Sequence, residues 1–318
     1  SSARRRARRA PVSACGRGLG PVQARVSNSR LRVGVFAPCG TAITLIQGDS
    51  TTCGATVVLA ARLLLGAAGD FSADGGVGDS GVDGDSGSAA SAALLGLRLK
   101  RALHAEQRRL QARMNRRSGG PLGPLPWTRR LGSTPWAIAR AMTQEMQQLA
   151  RAGSARCTGA AAPDYWVHWV PWAGEGGARW PSDVERVRRA LEAGLPVVVL
   201  AGGPLAVPYT DGSRPLRMLR SAVRAVRAVR AVSAVAARVP IPRHYVLALP
   251  WRLIGADDPG PGRVHLYEPS SGAVRVLDLL ALRASAGSGP RELGYWPRIL
   301  AVILPRELRG AEGRATEC

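Results

Sequence analysis

The chain contains very little of several residue types on which common chemistries depend. Lys100 is its only lysine and lies in a basic run, so the sequence carries no phosphate-binding G-x-x-x-x-G-K-[ST] loop. A pyridoxal cofactor would need that same lysine for its Schiff base, and the run around it is typical of a helix surface. No two cysteines are spaced as C-x-x-C, which argues against a structural zinc site and a disulfide framework. The five cysteines are Cys15, Cys39, Cys53, Cys157 and Cys318. We therefore expect no metal and no organic cofactor.

Long apolar runs are also missing. The longest, residues 195–209, is interrupted by glycine and proline and is too short to span a bilayer. The N-terminal residues are rich in arginine but lack the apolar core of a signal peptide. These features predict a soluble, cytoplasmic protein with no membrane span, whose thiols stay reduced.

The charge of the chain is strongly one-sided. Lysine and arginine number 44 against 22 acidic residues, a formal net charge of +22. Because nearly all of the basic residues are arginine, and alanine and glycine are abundant, the pattern is typical of a G+C-rich genome. It is weak evidence for a nucleic-acid partner, which we do not expect. Five arginines share one helical stripe, which would either bind phosphates or form a solvated face, and we favour the solvated face. They are Arg217, Arg220, Arg224, Arg227 and Arg230.

Composition divides the chain into one domain with tails and insertions. Residues 1–30 form a basic segment without acidic residues, predicted to be disordered, and residues 306–318 form a second tail. The domain spans 31–305 and is interrupted by flexible insertions at about 67–92 and 204–240. The aspartates of the first insertion lack the ligand spacing of a calcium loop. They are Asp70, Asp74, Asp79, Asp83 and Asp85.

Hydrophobic periodicity and turn residues predict an α+β fold with helices in its first half and an antiparallel sheet in its second. The predicted helices are an apolar one from about residue 53 to Gly66, a basic one over 93–117, one over 133–152 and one from a capping box at Ser182 to Gly194. The predicted strands cover 31–35, 165–170, 197–200, 244–249, 263–268, 274–277 and 300–304. The last four strands are predicted to form a meander.

The stretch from Gln47 to Cys53 has the composition of a nucleophile site. An apolar helix follows Cys53, and Thr51 or Thr52 can cap that helix through its hydroxyl. A thiolate at Cys53 would then be favoured by the positive end of the helix dipole. The backbone N–H of Cys53 and the side chain of Gln47 can both donate to an oxyanion. The simpler interpretation is a small, buried cysteine at a helix start.

Two further residues supply the remaining roles of a thiol hydrolase. His244 starts one predicted strand and Glu268 ends the next, so a symmetric hairpin makes them cross-strand neighbours. His244 can act as acid and base, and Glu268 can orient it. Asp257 and Asp278 are alternative orienting acids. We expect His168 to be a half-buried strand histidine, and His265, which alternates with Glu268, to face away from the site.

These elements resemble the papain-like cysteine peptidases, most closely the bacterial branch that includes bacteriocin-leader-processing peptidases and stand-alone relatives. Gln47-Gly48 with Cys53 six residues later is similar to the oxyanion glutamine and nucleophile of the family, and His244-Tyr245-Val246 to its histidine segment. Glu268-Pro269-Ser270-Ser271-Gly272 is similar to a D-P-x-x-G element whose acid orients that histidine. The resemblance covers about residues 31–305 and implies a papain-like fold and a peptide or protein substrate.

The chain departs from the family pattern at two places. Glu268 stands where Asp or Asn is usual, which adds one methylene that the backbone must absorb. The separation of Cys53 and His244 exceeds the roughly 130–150 residues typical of papain itself, and the two insertions can account for the excess. No transporter segment or ATP-binding motif accompanies the peptidase elements, so export-coupled processing is not implied.

Three functions therefore remain open at the level of sequence. The first is a cysteine peptidase or amidase, and the second is an acyl or amide transferase of the same fold, since both pass through a thioester. The third is an inactive, peptidase-like binding module with a basic surface. The oligomeric state is not indicated by any pattern.

Overall fold

The computed structural model describes residues 22–36, 40–66, 88–120, 132–152, 162–170, 179–204, 240–281 and 289–306. Its helices are α1 (Cys53–Leu64), α2 (Ser88–Asn115), α3 (Pro135–Arg151), α4 (Arg179–Glu192) and the single turn α5 (Trp251–Ile254). Its strands are β1 (Gln23–Ser27), β2 (Arg30–Gly34), β3 (Ala42–Thr44), β4 (Tyr165–Trp169), β5 (Val197–Pro204), β6 (Pro240–Leu249), β7 (Arg263–Glu268), β8 (Ala273–Asp278) and β9 (Arg298–Pro305).

The described strands form one antiparallel sheet, which together with the helices confirms the α+β class. Their order across the sheet is β1-β2-β8-β7-β6-β5-β9-β4, with β3 paired to β2. The predicted division into a helical half and a sheet half is wrong, because β1–β3 precede α1 and β4 lies between α3 and α4. The four-strand meander is also wrong in part. Strands β6, β7 and β8 are consecutive neighbours, whereas β9 lies between β5 and β4.

Helices cover both faces of the sheet. Alternate residues of β6 point to opposite sides, as the pleat of a strand requires. Tyr245 and Leu247 join a core with α1, α2 and α3. Val246 and Ala248 join a second core with α4. The central strands are therefore buried on both faces, which explains their nearly continuous apolar sequences.

Helix α1 is almost wholly buried, and its start differs in detail from the prediction. Its residues are small or aliphatic and eleven of the twelve are buried, so tertiary packing stabilises it more than an amphipathic pattern does. Thr52 is the N-cap residue, but its side chain makes no capping hydrogen bond. The Thr52 hydroxyl instead donates to the backbone carbonyl of Asp49 at 3.0 Å. By contrast, Thr134 caps α3, since its side chain accepts from the N–H of Ala137.

Several predicted boundaries need correction. Residues 23–27 form β1, although they lie in the segment 1–30 for which disorder is predicted. Helix α2 begins at Ser88, inside the predicted insertion. Helix α4 begins at Arg179 rather than at Ser182, so the predicted capping box lies inside the helix, where the side chain of Arg186 donates to Asp183.

The remaining predictions of tails and insertions, at 1–21, 67–87, 205–239 and 307–318, lie outside the described residues, as does the arginine stripe. No helix in the part of the chain that the structure describes is long and apolar enough to cross a membrane.

Candidate active site

His244 and Glu268 meet across two adjacent strands. Strand β6 pairs with β7 through Leu247↔Tyr267 and the two following pairs, a register that places Glu268 diagonally across from His244. The Nε2 atom of His244 lies 2.9 Å from Oε1 of Glu268. Both residues are buried, at 8% and 5% exposure. The extra methylene of Glu268 is therefore accommodated, and its carboxylate reaches the imidazole directly.

The carboxylate of Glu268 is held in a cage of donors from the turn that follows it. Its Oε1 accepts from the N–H of Ser270 at 2.7 Å. Its Oε2 accepts from the N–H of Ser271 at 2.9 Å and from the hydroxyls of Ser270 and Ser271 at 2.8 and 2.6 Å. Burial alone would raise the pKa of Glu268, but the hydrogen bonds from His244 and Ser271 outweigh it and lower that pKa to about 2. Glu268 is thus a fixed anion beside the imidazole.

Cys53 is the first residue of α1 and interacts with His244. Burial by itself would lower the pKa of His244, but hydrogen bonding to Cys53 and to Glu268 overcomes burial and raises that pKa to about 9. Because Nε2 is bonded to Glu268, the other ring nitrogen remains for the thiol. Cys53 is a free cysteine and 5% exposed. The structure therefore brings Cys53, His244 and Glu268 together.

Gln47 lies beside the turn that carries Glu268. Its backbone N–H donates to the carbonyl of Pro269 at 2.8 Å. The hydroxyl of Tyr267 donates to the carbonyl of Leu45 at 3.0 Å, so the segment before Gln47 is also tied to β7. The side-chain oxygen of Gln47 is buried and has no hydrogen-bond partner among the described residues. Unpaired buried polar atoms are rare in proteins, and this one lies next to the candidate site.

Two glutamines of α2 hold the segment between Gln47 and Cys53, and sequence reasoning missed both. The side chain of Gln107 donates to the carbonyl of Ile46 at 2.9 Å and accepts from the N–H of Gly48 at 2.8 Å. Gln111 donates to the carbonyl of Thr51 at 2.8 Å. Both glutamines are fully buried. The sequence signal that could have identified them is their spacing of four residues, which places both on one helix face that is otherwise apolar.

The other candidate residues lie elsewhere. His168 of β4 pairs with Asp183 of α4 at 3.1 Å, which confirms a structural strand histidine. His265 contacts the carbonyl of Asp257 at 3.2 Å, in the loop between β6 and β7. Asp278 faces Arg263 at the end of the hairpin remote from Glu268. Neither aspartate is placed to orient His244.

Within the described ranges, no cluster of three or more His, Cys, Asp or Glu side chains could hold a metal ion. Comparisons with protein-family models, curated proteins and solved structures found no match to this chain.

Proposed function

We propose that the chain is a cysteine-type peptidase or amidase with a papain-like fold, related to the bacterial branch that includes bacteriocin-leader-processing peptidases. The observation that carries the proposal is a set of three buried side chains, in which Glu268 binds His244 and His244 interacts with Cys53. A thiol, an imidazole and an acceptor for the second imidazole nitrogen are the groups that nucleophilic amide hydrolysis requires. A nucleophilic thiol must stay reduced, so we also place the protein in the cytoplasm.

In the proposed reaction, His244 and Cys53 form an imidazolium–thiolate pair, and the sulfur attacks the carbonyl carbon of an amide. The N–H of Cys53 and the side chain of Gln47 donate to the oxyanion. His244 then gives its proton to the leaving nitrogen, the C–N bond breaks, and a thioester forms on Cys53. Neutral His244 takes a proton from water as the water oxygen attacks the thioester; the C–S bond breaks, the acid is released, and the sulfur leaves as the thiolate, which restores the imidazolium–thiolate pair.

The surroundings of His244 favour this cycle. Its pKa of about 9 keeps the ring protonated at neutral pH, which supplies the acid for the leaving amine. Glu268 remains ionised far below neutral pH, so it can stabilise the imidazolium throughout the cycle. The carboxylate cage also fixes the position of the ring, because Glu268 cannot move without breaking bonds to Ser270 and Ser271.

The proposal is tested by incubating the full chain with a random peptide library and sequencing the products by mass spectrometry. Cys53→Ala is the matched control. Cleavage that depends on Cys53 is the expected result. If added amines divert the products into new amides, the transferase is the better description. If the native chain and Cys53→Ala leave the library equally intact, the enzymatic proposal loses its support and the binding module takes its place.

A further inference from the structure

Residues 289–296 form a covering loop that lies against the imidazole of His244. The loop contains one 3-10 turn, Arg291–Leu293, followed by Gly294 in the left-handed conformation with φ of 64°. A Cβ atom built on Gly294 would lie 2.8 Å from Cδ2 and 3.2 Å from Nε2 of His244. The backbone of Gly294 therefore approaches the edge of the ring that also carries the bond to Glu268.

The covering loop is fixed in place by its own hydrogen bonds. The N–H of Gly294 donates to the carbonyl of Arg291, and the N–H of Gly289 donates to the carbonyl of Tyr295, both at 3.0 Å. Leu293 is fully buried in the core on the α4 face. The loop cannot move away from His244 unless Leu293 leaves its buried position. An atom added at Gly294 would therefore press against the imidazole ring.

The ring is not free to move either. Its Nε2 is bonded to Glu268, and the ring also interacts with Cys53. A displacement large enough to relieve a 2.8 Å contact would stretch the bond to Glu268 or change the distance to the thiol. Reacting groups that are misplaced by about 1 Å can lose about 100-fold in rate.

We propose that Gly294 is a positioning residue, whose missing side chain lets the covering loop close on His244 and hold the imidazole in line with Cys53. This inference rests on the proposed function, since it assigns a role relative to that same histidine. Nothing in the sequence pattern pointed to Gly294, because it lies 50 residues beyond His244 and within no recognised motif.

Gly255 provides a matched control for the backbone. It follows the single turn α5 with φ of 66° and ψ of 31°, against 64° and 34° for Gly294. A Cβ atom at Gly255 would have nothing within 4 Å. Gly255→Ala and Gly294→Ala therefore introduce the same left-handed strain, and only the second introduces a contact with the imidazole.

The test measures the rate at which a neutral haloacetamide alkylates Cys53 between pH 5 and pH 10. Mass spectrometry of the peptide that contains Cys53 follows the reaction. Four full-length proteins are compared: native, Gly294→Ala, Gly255→Ala and His244→Ala. We expect Gly294→Ala to lower the rate at pH 7 by about tenfold and to change the shape of the pH profile, because a displaced imidazole holds the thiolate less well. Gly255→Ala should keep the native profile.

Thermal unfolding of the same variants covers the case in which Gly294→Ala is too unstable to assay. In that case the double variant Gly294→Ala, His244→Ala should fold as well as Gly255→Ala, His244→Ala, because truncating the ring removes the clash. Equal profiles for Gly294→Ala and Gly255→Ala overturn the positioning role alone, as does a double variant that stays unfolded. Equal profiles for the native chain and His244→Ala overturn the proposed function itself.

Discussion

Glu268→Gln should destabilise the protein in a strongly pH-dependent way. Glutamine has nearly the same size and shape as glutamate, so the substitution removes the charge; it also replaces one acceptor oxygen with an amide NH2 group, which cannot accept from the N–H groups of Ser270 or Ser271, and this second loss does not depend on pH. The pKa of Glu268 falls from its ordinary value of 4.5 to about 2 in the folded chain. This difference corresponds to about 3 kcal/mol of folded-state stability when the group is ionised in both states.

The sign of the pH dependence follows from the lowered pKa. Ionised Glu268 contributes its full stabilisation above pH 4.5, and that stabilisation is lost as the pH falls toward 2. His244 adds no slope in this range, because it is protonated below pH 6.5 in both the folded and the unfolded chain. The charge of Glu268 should therefore contribute about 3 kcal/mol at pH 6 and about 1 kcal/mol at pH 3, so the difference between the native chain and Glu268→Gln should shrink by about 2 kcal/mol between the two pH values.

Urea unfolding at the two pH values measures these differences directly. The exposed Glu185→Gln on α4 is the control, and surface substitutions of this kind change the free energy of unfolding by less than about 0.5 kcal/mol. A difference between the native chain and Glu268→Gln that stays constant from pH 6 to pH 3 would refute the reasoning. It would mean that the hydrogen bonds from Ser270 and Ser271 do not favour the ionised form of Glu268 over its protonated form.

Three further substitutions test other parts of the structure. If the proposed function holds, Gln47→Ala should lower peptide hydrolysis by about 100- to 1000-fold, because it removes the proposed oxyanion donor. It should leave the alkylation rate of Cys53 nearly unchanged, because alkylation forms no oxyanion; an equal loss in both assays would contradict the proposed role. Gln107→Ala should lower the free energy of unfolding by about 2 kcal/mol or more in urea titrations, because it leaves the carbonyl of Ile46 and the N–H of Gly48 without partners. The control Gln144→Ala, at an exposed position, should change the free energy of unfolding little. Glu145→Ala should cost about 1–3 kcal/mol by the same measurement, because it removes the buried carboxylate that Arg113 binds and leaves Arg62 paired with Glu106 alone; a loss below about 0.5 kcal/mol would show that water replaces the carboxylate at no cost.

Local patterns in the sequence predicted the parts of the site that are continuous in the chain. The apolar, proline-free run after Cys53 specifies α1, and the turn residues between β6 and β7 specify the hairpin. The turn residues predict that the two strands are antiparallel neighbours, which brings His244 and Glu268, 24 positions apart, near each other; the observed register places them diagonally across from one another.

The parts that sequence reasoning missed depend on contacts between distant segments. The insertion of β9 between β5 and β4 leaves no local signal, since each strand has the same apolar composition. The side chain of Gln107 accepts a hydrogen bond from the N–H of Gly48, which lies 59 residues earlier in the chain. Its helix is rich in basic residues, and this pattern does not indicate the buried face on which Gln107 lies. Gly294 is a close-approach position whose importance becomes visible only when the covering loop meets His244.

The proposed function requires that Cys53 and His244 act as one unit. Its most direct test is the alkylation rate of Cys53 at pH 6, where His244 is protonated, in the native chain and in His244→Ala. We predict that the native rate exceeds the variant rate by about tenfold or more, because a neighbouring imidazolium favours the reactive thiolate. Equal rates in two folded proteins would contradict the account and leave Cys53 as a buried cysteine at a helix start.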